Sequence, residues 1–354
     1  MQPRERIQAV LRHQQPDRLP RMVNFYPWSF PQHPDREASE LFDCEIRFVS
    51  VDAPGQQASF LRYLESLPDD VYVGSRPILK TYHDWGYHPE VERDAPLGGA
   101  ETIAQVAAAP LPDFMQQLDP DGLRRAVAHH QGQGYAVMAS PPHLGGELFE
   151  TAWRLRGFEQ FMVDLVENPP LVYYLLEQLT AMHLALALAL TRAGIDILAL
   201  DDDVAEPTRM LISPATWRRT FKPCVRAIIA ACRAVNPDLF IFWHSDGNIE
   251  PIIPDLIEIG VDVLNPVQPD VMDPAQLKRQ YGDRLAFFGT VGTPQRWAWG
   301  TPEDIRREVF ERIMTVGAGG GLILSPAYDL EPECRWENVL AFFQAADIWG
   351  ADYP

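Results

Sequence analysis

Four apolar runs in the last third of the chain stop abruptly on residues that carry protons or bind cations. FIFWHSDG (240–247) ends in His244, Ser245, Asp246 and Gly247, and VDVLNPVQPD (261–270) ends in Asn265 and Gln268. LAFFGTVGTP (285–294) ends in Thr290 and Thr293, and GLILSPAYD (321–329) ends in Ser325, Tyr328 and Asp329. An apolar run that breaks into polar residues and then enters a helix is how α/β enzymes set chemistry at the carboxyl edge of a sheet. Earlier runs follow suit: 21–26 carries Asn24 and Tyr26, 135–139 leads to His143 and Glu147, and 195–200 runs into Asp201, Asp202 and Asp203.

A carboxylate beside an imidazole holds one tautomer and raises the imidazole pKa, which suits a general acid near neutral pH. His244 supported by Asp246, together with one of the three aspartates (assigned to Asp202), is therefore the candidate catalytic group. Tyr328 joins it as a phenol donor to a substrate oxygen. Asn24, Tyr26, His143, Glu147, Asp201, Asp203, Asn265 and Gln268 are the candidate substrate-binding residues, and Gly145-Gly146 would let the backbone approach a ligand closely. His244-x-Asp246 is equally a pair of ligands for a hard or borderline divalent metal. Plainer readings stand beside these: a histidine bonding its own turn, a solvated aspartate loop or helix cap. His129 and His130, late in a helix, most simply bond its last carbonyls, and His83 and His88 in TYHDWGYH suit a lid.

The elements that must position these groups alternate. A short amphipathic helix stopped by Pro16 opens the chain, and strands are expected at 21–26, 44–51, 70–79, 135–139 and 195–200 before the four described above. Helices are expected at 120–131, on both sides of Asn168-Pro169-Pro170, at 213–235 with a break near Pro223, and at 273–281, 301–316 and 336–348. About eight strands, each followed by a helix, predict an α/β fold, a single (β/α)8 TIM barrel over 1–354 with an N-terminal helical and loop elaboration. Residues 27–100, rich in Pro, Gly, Asp and aromatics, read as an insertion or lid. An open doubly wound sheet is the alternative, weakened because no Gly-rich phosphate loop follows an early strand.

Composition narrows the partners. The chain has 354 residues, 46% of them hydrophobic, and a formal net charge of −19, which argues against nucleic acid and against an anionic membrane surface. Cys44, Cys224, Cys232 and Cys334 form no CxxC pair and read as free thiols of a cytoplasmic protein. The greasiest stretch, 184–190, is too short to span a membrane and reads as core packing. Aromatic residues in the 25–90 region are candidates for a homodimer face.

The segments RERIQAVLRHQQPDRLP, LFETAWRLRGFEQFMVDLVENP and HSDGNIEPIIPDLIEIGVDVLNPVQPDVMDPAQLKRQYGDRLAFFGTV resemble the uroporphyrinogen decarboxylase superfamily, which includes cofactor-free decarboxylases and corrinoid-linked methyltransferases. The resemblance implies a (β/α)8 barrel with a deep polar cleft at its carboxyl face. The decarboxylases carry an Arg-rich motif after the first strand; the corresponding NFYPWSF here has no Arg. The thiol methyltransferases use a His-x-Cys-Gly tip and a later Cys as zinc ligands. This chain has Asp246 in place of the first Cys and Tyr328 where the second would align, so a soft site becomes a hard His/Asp/Tyr one.

The first functional expectation is a decarboxylase-type lyase. It would act by acid–base chemistry, without a required cofactor, on a small cyclic or aromatic carboxylic acid other than uroporphyrinogen. Arg154 and Arg156 are the nearest cations for the substrate carboxylate. The alternative is a corrinoid (cobalamin)-dependent methyltransferase or demethylase acting on a methylated small molecule, with zinc or another divalent ion and a corrinoid borne by a partner protein. A barrel kept as a non-catalytic ligand receptor is the third.

Overall fold

The structure is a computed structural model and describes residues 1–23, 38–51, 95–109, 111–331 and 333–351. The expected strand at 70–79, most of the 27–100 segment, Asn24, Tyr26, His83 and His88 lie outside the described residues. Seven strands form one parallel sheet in the order β1 (Ile46–Phe48), β2 (Ala136–Ala139), β3 (Ile197–Asp201), β6 (Phe240–His244), β7 (Val263–Asn265), β8 (Ala286–Phe288) and β9 (Leu322–Ile323). Between β3 and β6 a small antiparallel ribbon pairs β4 (Ala205–Glu206) with β5 (Arg209–Met210). The near-continuous apolar sequences of β2, β3, β6, β7, β8 and β9 follow from burial on both faces, inside the barrel and under the helices.

The sheet curls into a TIM-barrel-like α/β fold. Beyond β9 an eighth stave begins at Arg21, which bridges Leu324 in parallel, with Met22 N–H donating to the Leu324 carbonyl at 2.9 Å. On its other side the Arg21 N–H donates to the Glu45 carboxylate at 2.9 Å, just before β1. Glu45 is fully buried and also meets Arg6 at 3.1 Å and Arg18 at 2.6 Å, so a charged cluster ties the two sheet edges together at the bottom.

Local signals set the helices. Thr301 caps helix Pro302–Val316 by accepting from Asp304 N at 3.2 Å, while the Asp304 carboxylate accepts from Thr301 N at 3.0 Å. The expected helix 213–235 is two helices, Pro214–Thr220 and Lys222–Val235, parted at Phe221. Pro223 has no N–H for the carbonyl one turn back, and its ring crowds that carbonyl, so the break falls just before it. Helix Pro169–Ala193 is long and apolar enough, by length and composition, to cross a membrane. Here its buried Leu171, Leu175, Leu179, Leu186 and Leu190 join the common core. The four cysteines are free.

Candidate active site at the carboxyl ends of the strands

The strand ladder puts three polar residues in step. Asp201 at the end of β3 is the partner of His244 at the end of β6, and His244 is the partner of Asn265 at the end of β7. Side chains alternate along a strand, so Phe242 and His244 share the inward face. Both line a cavity of about 650 Å³, with Asp201, Asp246 and Asn265 at its polar end.

The His244 ring is fixed by its neighbours. Asn265 Nδ2 donates to the Phe288 carbonyl at 3.2 Å, which turns its Oδ1 toward His244 Nδ1 at 2.6 Å. Nδ1 is therefore the donor to Asn265, and Nε2 faces Asp203 Oδ1 and Asp246 Oδ1, each at 3.9 Å. The Asp246 loop is held in turn: its N–H donates to Asp203 Oδ1 at 2.6 Å, and its carboxylate accepts from Gln268 Nε2 at 2.9 Å. Gly247 N–H donates to Gln268 Oε1 at 2.9 Å. Gly247 has φ +82°, and a Cβ there would lie 2.7 Å from the Ala205 carbonyl, so the loop needs glycine to pass the ribbon.

Charge crowding and burial shift the titrations. Burial alone would lower His244, but the carboxylates of Asp201, Asp203 and Asp246 push it up to about 9. Burial lifts the Asp201 carboxyl to about 8; His244 opposes this, and Asp203, Glu150 and Asp246 add to it. Burial also raises Asp246 to about 6, against the pull of His244. His244 and Asp201 are thus coupled: the charged carboxylate favours the protonated imidazole and the imidazolium opposes protonation of the carboxyl, so the pair shares a proton near neutral pH that general-acid chemistry can draw on.

Two further histidines behind Asp201 behave differently. His143 Nε2 lies 4.0 Å from Asp201 Oδ2, and burial, then the charges of His244 and Arg154, lower its pKa to about 4. Burial, then His143, lowers His183 to about 3. Both stay neutral in the fold, whereas an unfolded histidine takes up its proton below about 6.5. The contribution of each such histidine to stability is therefore expected to fall as pH drops from 6.5 toward 4, with a slope of about 1.4 kcal/mol per pH unit, opposite in sign to that of the raised Asp201 and Asp246 carboxyls. His183→Leu should flatten that slope in urea melts at stepped pH, and an unchanged slope would count against the assignment.

The structure separates the expected residues into those that line the cavity and those that support it. Asp201, His143, His244, Asp246, Asn265, Tyr328 and Asp329 line it. Asp203 faces His244 from the adjoining turn. Gln268 and Glu147 are buried behind the wall; Glu147 accepts from Asp201 N–H at 2.6 Å and donates its own N–H to the Asp201 carbonyl at 2.8 Å.

Asp202, expected as a catalytic acid, is turned away and caps helix Phe149–Arg156, accepting from Phe149 N–H at 2.8 Å and Glu150 N–H at 3.0 Å. Asp201, one residue earlier, is the one of the three that lines the cavity. The close approach allowed by Gly146 is likewise to Asp202, whose Oδ1 would lie 2.6 Å from a Cβ at 146. Asp202→Ala is expected to cost about 2 kcal/mol through the two orphaned donors. Asp202→Asn should restore most of it, with turnover per folded molecule unchanged in both, as urea melts and steady-state kinetics would show.

Tyr328 lines the cavity with its hydroxyl already engaged. Its hydroxyl already donates to Asp270 at 3.1 Å, and burial with that carboxylate raises its pKa, so it is not an acid poised at the reacting atoms. Arg154 stacks on Trp153 at 4.6 Å and meets Glu150 at 3.4 Å, while Arg156 is buried against Asp164 at 2.5 Å. Neither arginine lines the cavity.

The sequence reading missed the cavity's aromatic walls, Phe242, Phe288, Trp297 and Trp299, and its rim carboxylates Glu331 and Glu333. Strand alternation from His244 would have found Phe242. Cys334 also lines the cavity, but burial, then Glu331 and Glu333, push its thiol up to about 11, which keeps it protonated. It takes no part in the close group of Asp201, Asp203 and His244, whose ligand atoms lie within 4.8 Å of one another.

A barrel with its imidazole and carboxylates gathered at the carboxyl ends of the strands defines an enzyme of the acid–base or metal-assisted kind. Residues 146–349, more than half of the chain, match the family model described as Uroporphyrinogen decarboxylase (URO-D), and the chain belongs to that family. The methylcobamide:CoM methyltransferase MtaA of Methanosarcina barkeri is 27% identical over 194 residues, 54% of this chain and 53% of the relative. This chain therefore spans about half the length of that relative. Uroporphyrinogen decarboxylase of Pseudomonas syringae pv. tomato is 22% identical over 327 residues, 88% of this chain and 84% of the relative. A solved methyltransferase from Methanosarcina mazei shares the fold, with a TM-score of 0.69 and 19% identity over 99% of both chains.

Proposed function

We propose that the chain moves a methyl group between a methylated small molecule, such as a methoxylated aromatic, and a cobamide carried by a separate corrinoid protein. One observation carries the reading: His244 Nε2 faces Asp203 and Asp246 at 3.9 Å each, at the polar end of a cavity whose lining also includes the rings of Phe242, Phe288, Trp297 and Trp299. The likeness to the methylcobamide:CoM methyltransferases supports it. So does the charge of the site, since an ether fits an acidic cleft better than the carboxylates of a decarboxylase substrate do.

The same residues fit a divalent ion. Asp201, Asp203 and His244 bring their ligand atoms within 4.8 Å of one another, and Asp201 Oδ1 is buried without a hydrogen-bond partner among the described residues. Oxygen and imidazole donors suit zinc or a harder ion, and Asn265 supplies the outer hydrogen bond that aims the imidazole. Such an ion would supply Lewis-acid polarisation of the leaving oxygen. With no ion bound, His244 Nε2 would instead carry the proton that the leaving oxygen needs, since one atom cannot do both, and the rings of Phe242, Phe288 and Trp297 cover the apolar body of the donor.

The test is methylation of cob(I)alamin by a methoxybenzene donor, with metal analysis of wild type and His244→Ala. About one divalent ion per chain, lost in the variant together with methyl transfer, is the expected result. No methylation, with CO2 released from an aromatic acid, would replace this reading with decarboxylation. The raised Asp201 carboxyl beside His143 is the observation that favours that second reading.

A further inference from the structure

We infer that the methyl donor enters ring first, with its aromatic ring in an apolar tier beneath His244, its oxygen beside the imidazole and its methyl toward the mouth. Ala199 and Phe242 then set how large a group the far end of that ring can carry. The inference rests on the methyl-transfer reading and names the shape of its substrate.

The strand ladder stacks two tiers. Asp201 partners His244, and two residues earlier on the same strands Ala199 partners Phe242. Side chains two apart share a face, so Ala199 and Phe242 point into the barrel about 7 Å below the polar pair, measured along the strand. The cavity reaches that depth. On β6, Ile241 and Trp243 are 0% and 1% exposed, while Phe242 between them keeps 6%. On β3, Leu198 and Leu200 are 0% and 1% exposed, while Ala199 keeps 8%. Met22, Met138 and Phe288 also line the cavity, and none of these five side chains carries a charge or a hydrogen-bond donor. Below the tier the barrel is occupied: Phe240, the next inward residue on β6, has the Arg12 guanidinium over its ring at 5.8 Å.

The direction of attack decides which end goes in first. Displacement at a methyl carbon runs in line, so cobalt approaches from the side opposite the C–O bond. The cobamide arrives on a carrier protein, and a folded carrier cannot enter the barrel. The methyl therefore faces the mouth, the oxygen meets the polar tier, and the ring fills what lies beneath. A donor turned the other way would bury its methyl toward Phe240 and Arg12, out of reach.

The transfer balances. The methyl C–O bond breaks with its electron pair staying on oxygen, and the methyl carbon takes the electron pair of the cob(I)amide, the co-reactant. With no ion bound, that oxygen takes the proton of His244 Nε2 and leaves as a phenol. Phe242 and Phe288, edge to face at 5.3 Å, give the ring a wall to lie against. Ala199 is the smallest side chain of the five, so the room for a para substituent lies beside Phe242.

Phenol and its 4-methyl, 4-ethyl and 4-butyl derivatives, shaped like the demethylated product, test this by calorimetric titration. The 4-methyl compound should bind at least as tightly as phenol, and the 4-butyl compound about tenfold more weakly, because its chain outgrows the room beside Ala199. Ala199→Leu should move that loss to the 4-methyl compound, and Phe242→Ala should lift most of it from the 4-butyl compound. Phenol reports folding in each variant, and Ala199→Val and Phe242→Leu carry the same test with a smaller change of volume. Affinity that rises steadily with chain length in the wild type would put the para position at the mouth and overturn the inference. A series unchanged in the variants, or phenols that do not bind at millimolar concentration, would overturn it too. Cob(I)alamin methylation by 4-methylanisole is read separately. If the size limit holds but no methyl is transferred, the methyl-transfer reading fails and the ring seat beneath His244 stands. If methyl is transferred without a size limit, the inference alone fails.

Discussion

His244→Ala is expected to lower turnover roughly a thousandfold while the barrel stays folded, the scale set by loss of a positioned proton donor. The ring is the only imidazole in the close carboxylate group among the described residues; its Nδ1 is bonded to Asn265 at 2.6 Å, and its Nε2 faces Asp203 and Asp246 at 3.9 Å each, free to meet a ligand. Its side chain is 31% exposed to the cavity, so truncation enlarges the cavity and leaves the packed core intact. Asn265→Ala, which frees the ring to rotate, should cost less, about ten- to a hundredfold. Turnover, a thermal melt and metal content measured together would check both variants. Undiminished turnover in His244→Ala would remove the imidazole from the mechanism.

Arg156→Leu should be the most destabilising single change outside the strands, by about 3–5 kcal/mol. Helices Phe149–Arg156 and Phe158–Glu167 meet at Gly157, and Arg156 locks the joint: it pairs with Asp164 at 2.5 Å and donates to the Leu97 and Gly98 carbonyls. Both charged side chains are about 4% exposed, so removing the guanidinium strands a buried carboxylate with only Gln160 Nε2 at 2.9 Å to answer it. Adding Asp164→Asn should recover part of the loss, because the uncompensated charge is then gone. Urea midpoints of the two single variants and the double variant would measure this. A loss under 1 kcal/mol would show that the joint holds without its ion pair.

The barrel was legible because it is written in local signals. FIFW, VDVL, LAFF and GLIL are short apolar runs, and the Ser213-Pro214 and Thr301-Pro302 starts mark helices within one or two residues of where they begin. The site was legible to the level of the strand tip, where position along the chain decides which residues reach the mouth. What sequence could not settle was which way each tip residue turns. Of three consecutive aspartates, Asp201 keeps the inward alternation of β3, Asp202 is captured by two helix N–H groups, and Asp203 bends to receive Asp246 N–H. That choice is made by partners 43 to 53 residues away, and no local pattern encodes it.

The in-step row of Asp201, His244 and Asn265 belongs to the hydrogen-bonded ladder, whereas Asp203 and Asp246 hang from the turns above it. The imidazole is therefore built into the frame, while the atoms that answer it are mounted on replaceable fittings. Cysteine at 203 and 246 would set two thiols beside the imidazole at the loss of the bonds from Gln268 Nε2 and Asp246 N–H, while the strand ladder is left as it stands. For the protein engineer this separates a fixed imidazole from two turn positions at which its neighbours can be exchanged.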